Sequence, residues 1–346
     1  MRDKVKRRDD IRLAVPALLV MGLLALLAAA CSPATTATDG DAGGPLELPD
    51  VSAMTAAGER LQVVATTSII GDVVRQVGGE AIDLTVLMQP GQDPHTYQAG
   101  AADLTAAADA DLIFVNGWNL EEGLVSDLAT IGGEAQLVPV SAGIDPRTLS
   151  QDEGEHGEDD EGHAHGPADP HTWQDVANVM QWVDNIQQTL RAADPANAAH
   201  YEANAAAYRQ ALQQLDDELR ATLAAIPAER RVLVTNHDNL GYFAGAYGFE
   251  VTGTVIPSIS SLAEPSAGAL AALIELMRSQ GICTLILETT AADRLARTLE
   301  NELTDCAEIR FVTLHTDALG PAGSGAESYT GMMRANAAAL AEGLGQ

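Results

Sequence analysis

Apolar, β-rich runs alternate with helical stretches along most of the chain. The first half carries such runs at 61–67 (LQVVATT), 84–88 (LTVLM), 112–115 (LIFV) and 137–140 (LVPV). The second half repeats the scheme at 232–235 (VLVT), 251–256, 284–287 (TLIL) and 309–314 (IRFVTL). Strands alternating with helices predict an α/β fold of two lobes, each with a mainly parallel sheet flanked by helices. Between them, Tyr201, Ala205, Tyr208, Leu212, Leu215, Leu219, Leu223 and Ile226 recur at spacings of three and four. That periodicity is one apolar stripe on a long helix over 195–226, with Pro195 suited to the first turn and Pro227 stopping it. The helix is expected to run along both lobes and join them once. A single helical connector limits hinge motion.

Composition then narrows the chemistry. Lys+Arg 19 against Asp+Glu 49 gives a formal charge of −30, which repels phosphate backbones and excludes nucleic acid as a partner. Both lysines, Lys4 and Lys6, lie in the first ten residues, so the body has none for a Walker-type or Schiff-base role. At 4% aromatics, stacking platforms and aromatic carbohydrate sites are disfavoured as well. A hydrophobic share of 46% over 346 residues is enough to build two cores.

The N-terminus reads as a targeting segment. Basic residues precede eighteen uncharged ones, 13–30, which end in Leu-Ala-Ala-Ala before Cys31. This is similar to a bacterial lipobox, which implies a signal peptide over 1–30 and a lipid-modified Cys31. The other reading is an uncleaved anchor, since eighteen apolar residues approach the spanning length. Both place the body outside the cytoplasm, on a membrane surface facing a periplasm or the cell exterior. Residues 31–58 read as a flexible tether. The remaining segments divide into an N-terminal lobe over 59–193, a connector over 194–227 and a C-terminal lobe over 228–346. Cys283 and Cys306 are the only other cysteines, and an oxidising compartment makes them either one disulfide or two buried thiols.

The segment 151–166 (QDEGEHGEDDEGHAHG) holds seven acidic residues with His156, His163 and His165, and it has no apolar content with which to build a core. It is either an auxiliary low-affinity metal loop or a solvated spacer.

Candidate chemistry begins with an internal echo. Asp93-Pro94-His95-Thr96-Tyr97 returns as Asp169-Pro170-His171-Thr172-Trp173. In each, proline fixes the backbone before the imidazole, and the aspartate can organise the turn through side-chain-to-backbone bonds. Two such turns point to a shared site; the bland alternative is a pair of surface turns. His237 follows the strand 232–235, and Asp317 follows the strand 309–314 with His315 competing for its role. Asp238 and Glu288 sit at comparable strand ends, where α/β sheets bind ligands. Three imidazoles and a carboxylate suit a divalent transition ion, and four protein ligands favour holding a metal over using one. A zinc-dependent hydrolase would need an open position and a base such as Glu288 or Asp238, and no HExxH motif occurs.

With these residues, the segments QPGQDPHTYQ, VNGWNLEEGL, DPHTWQDVANV, VTNHDNLGYFAGAYGF, IPSISSLAEPSA and HTDALGPAGSGAESYTGMMRANAAAL resemble the metal-receptor lipoproteins of zinc/manganese-type ABC importers, the cluster A-I solute-binding proteins. The resemblance covers about residues 60–344. It implies two α/β lobes joined by a backbone helix, no enzyme activity, and metal ligands at His95, His171, His237 and Asp317. It also implies a membrane permease as partner, a zinc metallochaperone as a candidate donor to the acidic loop, and a monomer. Manganese-type members commonly carry Glu at the third ligand position and zinc-type members His. His237 therefore makes Zn2+ the expected cargo, with Mn2+ or iron as the alternative. An adhesin that keeps the fold without transport is the remaining rival.

Overall fold

The computed structural model describes residues 44–55, 59–131, 135–148, 168–256, 258, 260–262, 266–289, 302–303, 306 and 309–345. The expectations for the signal peptide, Cys31 and the acidic loop with His156, His163 and His165 lie outside the described residues.

The first half forms β1 (Leu61–Ala65), α1 (Ser68–Gly78), β2 (Ile82–Val86), α2 (Ala101–Ala108), β3 (Leu112–Val115), α3 (Glu122–Ile131) and β4 (Gln136–Pro139). Its four strands make one all-parallel sheet in the order β2-β1-β3-β4. Helices cover both faces of such a sheet, so its strands are apolar almost throughout. The four residues of β3 are all buried, and β1 is buried except at Gln62. Thr67 caps α1 by accepting the Ile70 amide hydrogen at 3.1 Å.

The helix α4 (Val176–Ala193) and a 3-10 turn at Pro195–Asn197 lead into α5 (Ala198–Leu223). The 26 residues of α5 span about 39 Å at 1.5 Å per residue. The stripe legible in the sequence is its buried face: Tyr201, Ala205, Tyr208, Leu212, Leu215, Leu219 and Leu223. The helix lies on α1 and α4 from the first half and on the C-terminal helix of the chain.

The second half gives β5 (Val232–Thr235), α6 (Gly241–Tyr247), β6 (Glu250–Thr254), α7 (Ala267–Gln280), β7 (Thr284–Glu288), β8 (Arg310–Leu314) and α8 (Tyr329–Leu344). The strands β5 and β6 pair in parallel, as do β7 and β8, and β5 lies beside β7. The second half thus holds two two-stranded parallel sheets side by side, in the spatial order β6-β5-β7-β8, where the first half has one four-stranded sheet. Cys283, one residue before β7, is bonded to Cys306 with the Cα atoms 5.7 Å apart. The Arg310 amide donates to the Cys283 carbonyl at 2.8 Å where β7 and β8 begin to pair.

The halves share one apolar core, running from β1 through α4 and α5 to α8. Hydrogen bonds cross between them as well. Trp173 Nε1 and Gln174 Nε2 donate to the Thr316 carbonyl at 2.6 and 2.9 Å, and the Tyr329 hydroxyl donates to the Trp173 carbonyl at 2.8 Å. Part of the tether expected over 31–58 is held, at Gly44, Leu46, Leu48 and Val51. Trp118 Nε1 donates to the Gly44 carbonyl at 3.0 Å, the Gly143 amide donates to the Leu46 carbonyl at 3.0 Å, and Leu48 and Val51 pack on the core. Low side-chain complexity hid these apolar anchors, which are spaced too irregularly to show a period.

Candidate metal centre

Three of the four candidate ligands lie past the carboxyl end of a strand, and the fourth opens a helical turn. His95 follows β2, His171 opens the 3-10 turn Thr172–Gln174 ahead of α4, His237 follows β5 and Asp317 follows β8. The topology brings all four together. The three imidazole centroids lie 5.3–5.5 Å apart. His95 Nε2 is 3.2 Å from His171 Nε2, and His237 Nε2 is 3.7 Å from Asp317 Oδ2. Ligand atoms about 2.0–2.1 Å from an ion at the centre of a tetrahedron stand about 3.3–3.4 Å from one another. The two observed separations bracket that edge. Exposure is 5% for His95, 0% for His171 and His237, and 1% for Asp317, so the cluster is almost fully withdrawn from water.

The two Asp-Pro-His turns are built alike. Asp93 Oδ1 accepts the His95 amide hydrogen at 2.9 Å, and Asp169 Oδ1 accepts that of His171 at 3.0 Å. Asp169 Oδ1 also meets His171 Nδ1 at 2.8 Å, which fixes the ring and turns Nε2 toward the other imidazoles. Glu288 at the end of β7 does the same for His237: its Oε1 is 2.8 Å from His237 Nδ1 and accepts from Asn239 Nδ2 at 3.2 Å. A carboxylate so engaged holds a ligand, and the role of general base considered for Glu288 does not fit it. Asp238 is half-buried, and its amide is bonded to the Ser258 carbonyl at 3.0 Å. His315 is turned away from the cluster. Its backbone amide and carbonyl bond the Asn336 side chain at 2.9 and 2.7 Å, and its Nδ1 is 3.4 Å from Thr289 Oγ1. His200, on α5, is exposed and stands 3.1 Å from Asn204.

Electrostatics divides the imidazoles. Burial, then the neighbouring His171 and His237, pushes His95 down to about 3. Burial, then His237, holds His171 well below its ordinary value. Both rings are therefore neutral and able to ligate. Burial opposes charge on His237 too, but the Asp317 and Glu288 carboxylates outweigh it and raise this imidazole to about 9. Asp317 is raised to about 8, first by burial, with Glu288 and Asp93 adding to it and His237 opposing. Among the described residues, His237 Nε2 and Asp317 Oδ2 have no hydrogen-bond partner. A cation between these two adjacent buried polar atoms would satisfy both.

Asn239 and Ser261 are the contributors that sequence reasoning did not single out, whereas Glu288 was placed at a strand end without its partner His237. Ser261 Oγ donates to Asp93 Oδ2 at 2.6 Å across the halves, and no local pattern signals a partner 168 residues away.

The chain matches the family described as zinc-uptake complex component A, periplasmic, over residues 63–343. It is 33% identical over 328 residues to the manganese-binding lipoprotein MntA of Halalkalibacterium halodurans, covering 94% of this chain and 97% of that protein. It is 32% identical over 289 residues to the manganese ABC transporter substrate-binding lipoprotein PsaA of Streptococcus pneumoniae, covering 83% and 89%. Among solved structures, the periplasmic zinc binding protein TroA from Treponema pallidum superposes with a TM-score of 0.73 at 30% identity, covering 83% of this chain and all of that one. No helix among the described residues is long and apolar enough to cross a membrane. The chain belongs to the zinc-uptake complex component A family, whose members are solute-binding receptors of ABC transporters and not enzymes.

Proposed function

We propose that this protein is the extracytoplasmic receptor of an ABC importer, that its cargo is a divalent first-row metal ion, and that His95, His171, His237 and Asp317 hold that ion between the halves. The observation that carries the reading is the buried cluster of His95, His171 and His237, with Asp317 beside His95 and His237, drawn from four separate loops, two of the imidazoles backed by a carboxylate on the far ring nitrogen. Names of related proteins, which are substrate-binding lipoproteins of metal transporters, support a membrane permease as partner and a lipid anchor at Cys31. The auxiliary loop with His156, His163 and His165, the metallochaperone and the monomeric state stand as proposals on the sequence alone.

The cargo is a separate question from the affinity. Three imidazoles favour zinc over manganese, and the Irving–Williams order makes almost any nitrogen and oxygen site bind zinc more tightly than manganese. The zinc preference read from His237 therefore concerns affinity. Relatives named for manganese favour Mn2+ as the transported ion. The site is tested by chelator-competition titration of the full chain with Zn2+ and Mn2+, where absence of tight binding by either ion removes the reading. The cargo is tested by radiolabelled uptake into cells with and without the protein. Loss of manganese uptake alone assigns manganese, loss of zinc uptake alone assigns zinc, and loss of neither leaves an adhesin.

A further inference from the structure

One segment singled out in the sequence, VNGWNLEEGL, is assigned no metal ligand, yet it carries an unusual backbone turn. Three consecutive residues after β3 are left-handed: Gly117 at φ 99°, Trp118 at φ 47° and Asn119 at φ 57°. Trp118 and Asn119 are, among the described residues, the non-glycine positions with positive φ. Such conformations persist where the surroundings over-determine them, and they cluster at functional sites. Gly117 needs its missing side chain for a second reason, since a Cβ there would stand 2.3 Å from Leu46 Cδ1.

The turn folds Glu121 back beneath the end of β3. Its Oε1 accepts the Asn116 amide hydrogen at 2.7 Å and the Thr66 hydroxyl at 2.6 Å. Glu121 is 1% exposed, and its Oε2 has no hydrogen-bond partner, so the carboxylate is held there at a desolvation cost. Asn116, itself fully buried, is fixed at its backbone by that carboxylate. Its Nδ2 then donates to the Pro170 carbonyl at 2.8 Å. This carbonyl belongs to the peptide that links Pro170 to His171. Asn116 thus grips, from a different strand end, the peptide plane from which the imidazole is hung.

We infer that Asn116 and Glu121 are positioning residues for His171: the strained turn exists to set the second Asp-Pro-His loop at the spacing a metal requires. The inference rests on the receptor reading, because it concerns how one of the proposed ligands is held. Asp169 fixes how the His171 ring rotates, and Asn116 fixes where its backbone lies. Both act on the ligand from outside the coordination sphere, where a lost partner typically lowers metal affinity about tenfold to a hundredfold.

The test uses the full chain with Zn2+ in chelator competition and Co2+ as a visible-absorption probe of ligand geometry. Asn116→Ala is expected to weaken Zn2+ binding about tenfold or more and to shift the Co2+ d–d bands. Asn185→Ala is the control. That amide is also buried, donating to the Val140 and Ala142 carbonyls at 2.7 and 2.8 Å, and its loss should lower the unfolding midpoint while leaving the Co2+ spectrum as in the wild type. Should Asn116→Ala fail to fold, Glu121→Gln and Glu121→Leu decide the matter. Gln keeps an acceptor for the Asn116 amide and should stay within about threefold of wild type, whereas Leu should lose about tenfold. Wild-type affinity and an unchanged Co2+ spectrum in Asn116→Ala, or in Glu121→Leu, would overturn the inference. Failure of the receptor reading looks different: the wild-type chain itself would bind neither ion.

Discussion

The two Asp-Pro-His turns share a sequence and a backbone device, yet they are held in opposite ways. In the second turn Asp169 Oδ1 serves both the His171 amide and the His171 ring, at 3.0 and 2.8 Å, and the whole segment 168–174 is buried. In the first, Asp93 spends one oxygen on the His95 amide at 2.9 Å and the other on Ser261 at 2.6 Å, a residue of the opposite half. The His171 ring is thus oriented by its own aspartate, while the rest of its segment bonds the opposite half through Trp173, Gln174 and the Tyr242 hydroxyl on Asp169. The turn carrying His95 takes part of its support from across the cleft. The difference teaches that one motif can spend its aspartate on the imidazole ring in one place and on a residue of the opposite half in another.

This contrast can be broken in order of size. Replacing a ligand comes first. His171→Ala should weaken metal binding by more than about a hundredfold, beyond the range of an outer partner, while His200→Ala on α5 should change it by less than about twofold. Chelator-competition titration measures both, and equal losses would end the distinction between site and surface. Next come the turn aspartates. Asp169→Ala removes both the amide and the ring acceptor and should cost about tenfold to a hundredfold. Asp93→Ala removes an amide acceptor and a cross-cleft bond and should cost less. An inverted order in the same titration would contradict the asymmetry.

Acidity probes the ligand on the far side. His237 is raised to about 9 by Asp317 and Glu288 against its burial, so near neutral pH the metal-free site keeps a proton there. Asp317, raised to about 8, holds a second proton beside it. Metal must expel both, so affinity should rise with pH and fall by between about tenfold and a hundredfold per unit on acidification through neutrality. His95, pushed down to about 3, adds a competing proton only in strong acid. This moves the onset of weakening above the ordinary imidazole value of about 6.5. Calorimetry in buffers of different ionisation heat should count between one and two protons released on binding near neutral pH, and affinity unchanged between about pH 6 and 8 would count against the pair of His237 and Asp317 as ligands. The smallest effect belongs to Ser261→Ala, which frees Asp93. Stopped-flow chelation should show metal release from it faster by about two- to fivefold, with little change in capture, as expected where a lost contact acts mainly on dissociation.

Much of this was legible in the sequence. The stripe from Tyr201 to Leu223 has helical period, and it is the buried face of α5. Runs such as LIFV read as strands because parallel strands are buried on both sides. The two Asp-Pro-His turns announce themselves by repetition. Supports of the ligands did not show, for a physical reason: Glu288 reaches His237 across 51 positions and Asn116 reaches Pro170 across 54, through a sheet order that no local period encodes. The turn at Gly117–Asn119 also escaped, because Trp at positive φ follows no propensity rule and is visible only as geometry.

The most direct measurement is anomalous scattering at the metal absorption edge from a crystal of the protein loaded with one equivalent of Zn2+. A single peak about 2.0–2.2 Å from one nitrogen each of His95, His171 and His237 and from a carboxylate oxygen of Asp317 is the predicted result. A peak elsewhere, or one that leaves any of these four groups outside coordination distance, would contradict the account.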